Sequence, residues 1–195
     1  MLLPPDAQAV LDFWFGPPES AVYGRRRDEW FRKDPRFDAL IAQNFGTTIE
    51  SALSGGLAHW AAHPASALAR IVVLDQFPRN CFRDSARAFA GDTLARDAAQ
   101  ALVAANADTG LLPVQRSFVY LPFEHAEDLA LQDEAVRLFT HLAANAPELT
   151  DMLDYAHRHR EVIRRFGRFP HRNAALGRTS TALELSFLEQ PGARF

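Results

Sequence analysis

Lysine is almost missing from this 195-residue chain, where Lys33 stands alone against twenty arginines. Alanine is abundant, so a GC-rich coding bias is the plain explanation, and guanidinium chemistry is not read into every arginine. Cysteine is as scarce: the single Cys81 excludes an internal disulfide and suits a reducing cytoplasm. Valine and isoleucine together number thirteen, few for a sheet protein. No stretch approaches the ~18 apolar residues of a membrane span. The start, MLLPPDAQAV, lacks a basic n-region and meets Pro4, Pro5 and Asp6 too soon for a signal peptide. Positive charge is not in surplus either. A net charge of -3 argues against nucleic acid as the main partner, because a phosphate backbone calls for an overall basic footprint. There is no P-loop, no glycine-rich dinucleotide fingerprint and no G-x-S-x-G elbow, so no cofactor is implied. The expectation is a soluble, cytoplasmic protein without a membrane span, one domain over residues 1–195.

What is present favours helices. Ala, Leu, Arg and Glu are good helix formers, and the class expected is all-α. Val10, Phe13 and Trp14 form one stripe, closed by Gly16 and stopped by Pro17 and Pro18. A second helix is predicted from Pro35 to Leu53, ahead of Gly55 and Gly56. The stretch from Pro64 to Phe77 is apolar on almost every side and reads as the central, buried helix. Asp92 is placed to cap a helix carrying Leu94, Ala98, Ala101 and Leu102. Ala135 to Ala146 marks another, a long one runs from near Glu148 to Gly167, and the last starts near Thr181. Seven or more helices with short Pro- or Gly-marked turns fit an α-α stack.

Polar chemistry gathers near the C-terminus. HRHREVIRRFGRFPHRNAALGR, residues 157–178, holds seven arginines, three histidines and one acid, Glu161. Helical spacing puts His157, Glu161, Arg164, Arg165 and Arg168 on one face and Arg160 on the apolar stripe. Pro170 suits the first turn of a new helix, where His171, Arg172 and Asn173 would favour a phosphate or carboxylate. A plainer alternative is an internal ion-pair network with residues 122–134, PFEHAEDLALQDE, which carry five acids and no Arg or Lys. A short echo links Gln76-Phe77-Pro78-Arg79-Asn80 with Arg168-Phe169-Pro170-His171-Arg172-Asn173. In both, a pre-proline residue is expected to break a helix and aim an Arg–Asn pair from its end.

The candidate ligand site is therefore Arg79, Asn80, Glu124, Arg168, His171, Arg172 and Asn173, with Asp75 and His125 as the candidate acid or base. For each there is a structural alternative: Asp75 and Arg79 as an internal pair, Asn80 as a cap. No metal site is expected, since His157 and His159 diverge by about 200° around the helix and no complete ligand spacing appears. Cys81 reads as a small buried hydrophobe rather than a nucleophile.

VLDFWFG at 10–16, LDQFPRN at 74–80, LPFEHAED at 121–128 and RFGRFPHRNAALGRTST at 165–181 are the specific motifs of the chain. In these it resembles the bacterial family catalogued as domain of unknown function nine hundred and twenty-four, from Val10 to Leu188. The resemblance implies a TPR-like α-α superhelix and no established reaction, cofactor or catalytic residue. Serine is usual in that family where this chain has Ala126, and a larger aliphatic at Ala175. Three functions stay open: binding of a small anionic metabolite, an acid–base enzyme of hydrolase or lyase type, and a scaffold whose concave groove takes a peptide or protein. Oligomeric state is not legible.

Overall fold

The computed structural model describes residues 3–193. Among them are eight α-helices and no strand: α1 Pro5–Phe15, α2 Pro35–Leu53, α3 Pro64–Cys81, α4 Asp92–Ala104, α5 Pro113–Glu124, α6 Leu129–Asn145, α7 Thr150–Phe166 and α8 Ala182–Leu188. Short 3-10 turns lie between several of them, one at Pro170–Arg172. The starts are set by local chemistry. Asp34 accepts from the backbone N–H of Arg36 and Phe37 ahead of α2, and Asp128 accepts from Leu131 N ahead of α6. Thr181 and Glu184 exchange a capping box at α8. α7 ends on Gly167 at φ 69°, the left-handed position that glycine takes without a Cβ penalty.

α3 is the axis of the molecule. It packs against α1, α2, α4 and α5, and Leu68, Ile71, Val72, Val73, Leu74 and Phe77 are buried around its whole circumference. An aromatic cluster closes one side: Trp14 stacks on Trp30 at 5.9 Å, and Phe77 and Phe118 meet Trp14 edge-on at 5.5 and 5.7 Å. Such pairs add roughly 0.5–1.5 kcal/mol each beyond area burial. α5, α6 and α7 follow one another through short connections, so neighbours run antiparallel and α5 and α7 run the same way.

Three expectations are corrected. Phe77 does not end α3, which continues through Pro78 to Cys81. Proline has no N–H for the Leu74 carbonyl one turn back. That carbonyl faces Gly91, where a Cβ would collide with it, so α4 starts in close backbone contact with α3. Asp92 is the first residue of α4 rather than its cap, and the buried side of that helix is Ala95, Ala99 and Leu102. Pro170 opens only a three-residue 3-10 turn, so His171, Arg172 and Asn173 do not sit at the N-terminus of an α-helix. α5 lacks a legible stripe because Val114, Gln115 and Ser117–Glu124 are all buried. Among the described residues no helix is long and apolar enough to cross a membrane.

Candidate functional site

A cleft of about 560 Å³ opens between the C-terminal half of α3, the end of α5, the first half of α7, and residues of the segments 26–33, 83–89 and 171–172. Its polar end gathers Gln76, Arg79, Asn80, Glu124, His125, His159, His171 and Arg172. Asp75 stands behind them, 1% exposed. Six of the nine candidate residues thus line one cleft and a seventh, Asp75, backs it.

Asp75 organises the cluster. Its Oδ1 accepts from His125 Nδ1 at 2.8 Å and lies 3.1 Å from an Arg79 guanidinium nitrogen, and its Oδ2 accepts from Gln76 Nε2 at 2.6 Å. Burial alone would raise this carboxyl, but Arg79 and then His125 outweigh it and hold Asp75 well below the usual carboxylate range. A carboxylate accepts only, so His125 Nδ1 carries the hydrogen. Burial, with Arg79 adding repulsion, lowers the His125 pKa against the pull of Asp75 and keeps the ring neutral. Its Nε2 is then a lone-pair site.

Arg79 is engaged through both terminal nitrogens. It donates to the Asp75 carbonyl at 2.7 Å and reaches both oxygens of Asp92 at 2.8 and 3.1 Å. Arg172, 6% exposed, comes to the same Asp92 from the other end of the chain. Its guanidinium lies 4.7 Å from the Phe89 ring centre and 4.5 Å from that of Phe169. Among the described residues only its NH1 finds an acceptor, Asp92 Oδ2 at 3.1 Å, while its Nε is buried without one. Burial first, then Arg79 nearby, pulls the Arg172 pKa down to about 10. Burial and the adjacent Arg172 pull His171 down to about 3.

His159 was missed by the sequence reading, which asked only whether it could share a metal with His157. It is 5% exposed, on the stripe Met152–Ala156–His159–Ile163, and that spacing was the available signal. Its Nδ1 lies 2.9 Å from both Tyr155 O and Glu124 Oε1, two acceptors, so that nitrogen also carries a hydrogen. The predicted basic face is the solvated one, with His157, Glu161, Arg164 and Arg165 exposed. Arg160 is half-buried and reaches Asp133 at 3.4 Å.

Two candidates fall outside the cleft. Arg168 forks onto Glu184 at 2.6 and 2.8 Å and donates to Thr179 O, fastening α8 to the chain before it. Asn173 donates to Ser180 Oγ and accepts from Arg178, which itself forks onto Glu127. The acidic and basic segments therefore do touch, through Glu124–His159, Glu127–Arg178 and Asp133–Arg160. Asn80 lies within α3, not at a cap, and donates to Asp38 Oδ1 at 2.9 Å. Burial, with Asp38 beside it, pushes the Cys81 thiol up to about 11, which leaves it protonated at neutral pH. Ala126 lies in a smaller recess of about 170 Å³ beyond His125 and Arg172, a side chain that a serine would have made polar. Among the described residues no three His, Cys, Asp or Glu side chains are grouped to hold a metal ion.

An all-helical protein with a buried His–Asp–Arg cluster at one cleft is what the fold and the site define. The chain belongs to the family described as "Bacterial protein of unknown function (DUF924)", whose profile matches residues 10–192. Among solved structures it is similar to the protein of unknown function ATU0120 from Agrobacterium tumefaciens. The two are 38% identical, the match covers 94% of this chain and 96% of that one, and the TM-score is 0.82. No curated protein sequence matches the chain.

Proposed function

We propose that the cleft binds a small molecule through an anionic group, a carboxylate or phosphate, held at Arg172 with His125 and His171 beside it. The observation that supports this is the charge of the wall. Arg26, Arg32, Lys33, Arg79, Arg83 and Arg172 line the cleft against Asp84, Glu124 and Asp151, in a chain whose net charge is -3. Arg79 is spent on Asp75 and Asp92, and Arg172 is the buried guanidinium of the wall with capacity to spare. A helix N-terminus plays no part. The test is calorimetric titration with small carboxylates and phosphate monoesters at low and high ionic strength. Saturable binding that weakens with salt and is lost in Arg172→Ala is expected. Binding left unchanged by that substitution would sink the assignment.

One observation favours a second reading, an enzyme. Asp75 fixes the His125 tautomer at 2.8 Å and leaves Nε2 as a proton acceptor beside the polar end of the cleft. Asp75 is then a positioning residue and His125 the acid or base. No feature selects the bond that reacts. An activity screen in which His125→Ala behaves like wild type would remove it.

A further inference from the structure

The cleft changes character along its length, and the change follows two helices. On α7 the lining residues are Asp151, Met152, Tyr155 and His159, a run of about 12 Å at 1.5 Å per residue. On α5, which runs the same way, Phe118 packs against Trp30 at 4.8 Å and Phe31 at 6.3 Å, Leu121 follows one turn on, and Glu124 and His125 close the helix. At the start of α7, Arg26 pairs with Asp151 and its guanidinium lies 5.1 Å from the Phe31 ring centre, which seats Trp30 and Phe31 over that end. One half of the cleft therefore carries Trp30, Phe31, Leu121, Met152 and Tyr155, rimmed by the Arg26–Asp151 pair and by Arg32 and Lys33, and the other is the polar cluster around His125 and Arg172.

We infer that the ligand of this cleft is an amphiphilic anion, a carboxylate or phosphate head on an aryl or short alkyl body, with the head at Arg172 and the body along Phe31, Leu121, Met152 and Tyr155. The inference rests on the anion-binding reading and adds the part of the ligand that reading leaves undefined. Its support is the mouth of the cleft, where Phe31 and Tyr155 are 46% and 45% exposed. A single large apolar side chain in water is ordinary on a protein surface. These two face one cavity, whose lining also includes the apolar side chains of Leu121 and Met152. A small hydrophilic anion would fill the polar half alone and leave those rings wet. The cavity volume, about 560 Å³, lies within the range typical of small-ligand sites. Such sites are mostly apolar, with a few polar groups that fix orientation. Arginine already covers part of each ring, Arg26 on Phe31 and Arg158 on Tyr155, so the aromatic faces are kept near cationic side chains rather than sealed.

The deciding experiment is calorimetric titration of the full chain with acetate, butyrate and hexanoate, with inorganic phosphate and phenyl phosphate, and with hexan-1-ol as the neutral partner of hexanoate. Burial of each added methylene should tighten binding about fourfold. Hexanoate is expected to bind at least tenfold tighter than acetate, and phenyl phosphate at least tenfold tighter than inorganic phosphate. The stronger of the two arms identifies the head group. Phe31 is half-exposed, so Phe31→Ser should fold, as circular dichroism will show, and flatten the chain-length series while acetate and inorganic phosphate bind as before. Binding of the anions with no dependence on the body would overturn the amphiphile and leave the anion site standing. Hexan-1-ol binding as tightly as hexanoate, or no binding by any probe, would overturn both.

Discussion

Arg79 and Arg172 each follow a Phe-Pro pair, each precede an asparagine, and both reach Asp92, yet the backbone carries them there by opposite routes. Pro78 lies inside α3, and Arg79 extends from an unbroken helix into contact with Asp75 and Asp92. Pro170 opens a 3-10 turn, and Arg172 arrives between Phe89 and Phe169 with a single acceptor. The guanidinium that is shared between two carboxylates and a carbonyl maintains the structure. The one with donors to spare lines the cleft, where the proposed anion would meet it.

The difference can be broken most forcefully at Arg79. Arg79→Ala leaves Asp75 as a buried carboxylate without its main cation, and the expected loss is about 3–5 kcal/mol by chemical denaturation. A loss under about 1 kcal/mol would erase the distinction between the two arginines. Acid comes next. His125 and His171 have folded pKa values below their unfolded value of about 6.5, so the unfolded chain takes up these protons first. Stability should be complete above about pH 6.5 and fall on acidification toward about pH 3, where His171 titrates in the fold, by at most about 1.4 kcal/mol per pH unit for each ring. Asp75 is shifted in the usual carboxylate direction. Its contribution, present above its unfolded pKa, is lost only as pH falls through its much lower folded one. Denaturation midpoints from pH 7 to pH 4 measure the histidine effect, and His171→Asn should make the profile shallower.

Arg172→Ala should cost only about 1 kcal/mol. Asp92 keeps Arg79, and what disappears is one hydrogen bond and the packing between two rings. A loss as large as that of Arg79→Ala would assign both arginines to the internal network. The smallest effect belongs to the solvated face of α7, where Arg164 forks onto Glu161 in open solvent. Arg164→Ala should leave the denaturation midpoint of wild type unchanged.

The helices were legible wherever one side is apolar and the other is not. α1, α2 and α6 read cleanly because Trp14, Ile41 and Phe139 repeat on a stripe with polar residues opposite. α5 did not, because burial on all sides removes the periodic signal and leaves a run that could be many things. The break expected at Phe77 failed for a related reason. The packing around α3 holds the helix through a proline that local preference would use as a stop. For the site, residue types were legible and partners were not. Asp75 and Arg79 are four apart and could be paired on sight, but Asp92 lies 13 residues from Arg79 and 80 from Arg172. Arg168 shows the converse. Its motif pointed to a ligand, and its fork is filled by Glu184, sixteen residues on in the same chain.

Gly91 brings no functional group to the cleft, and a scan of side chains for binding determinants would pass it by. Its contribution is one of tolerance, in the engineer's sense of the word. The Leu74 carbonyl and the bare Cα of residue 91 set how closely α4 seats on α3, and Asp92 is the next residue along. Any side chain at 91 must lift the start of α4 and carry with it the carboxylate on which Arg79 and Arg172 converge. The accuracy of the charged cluster is thus set by a position that carries no charge and has no side chain.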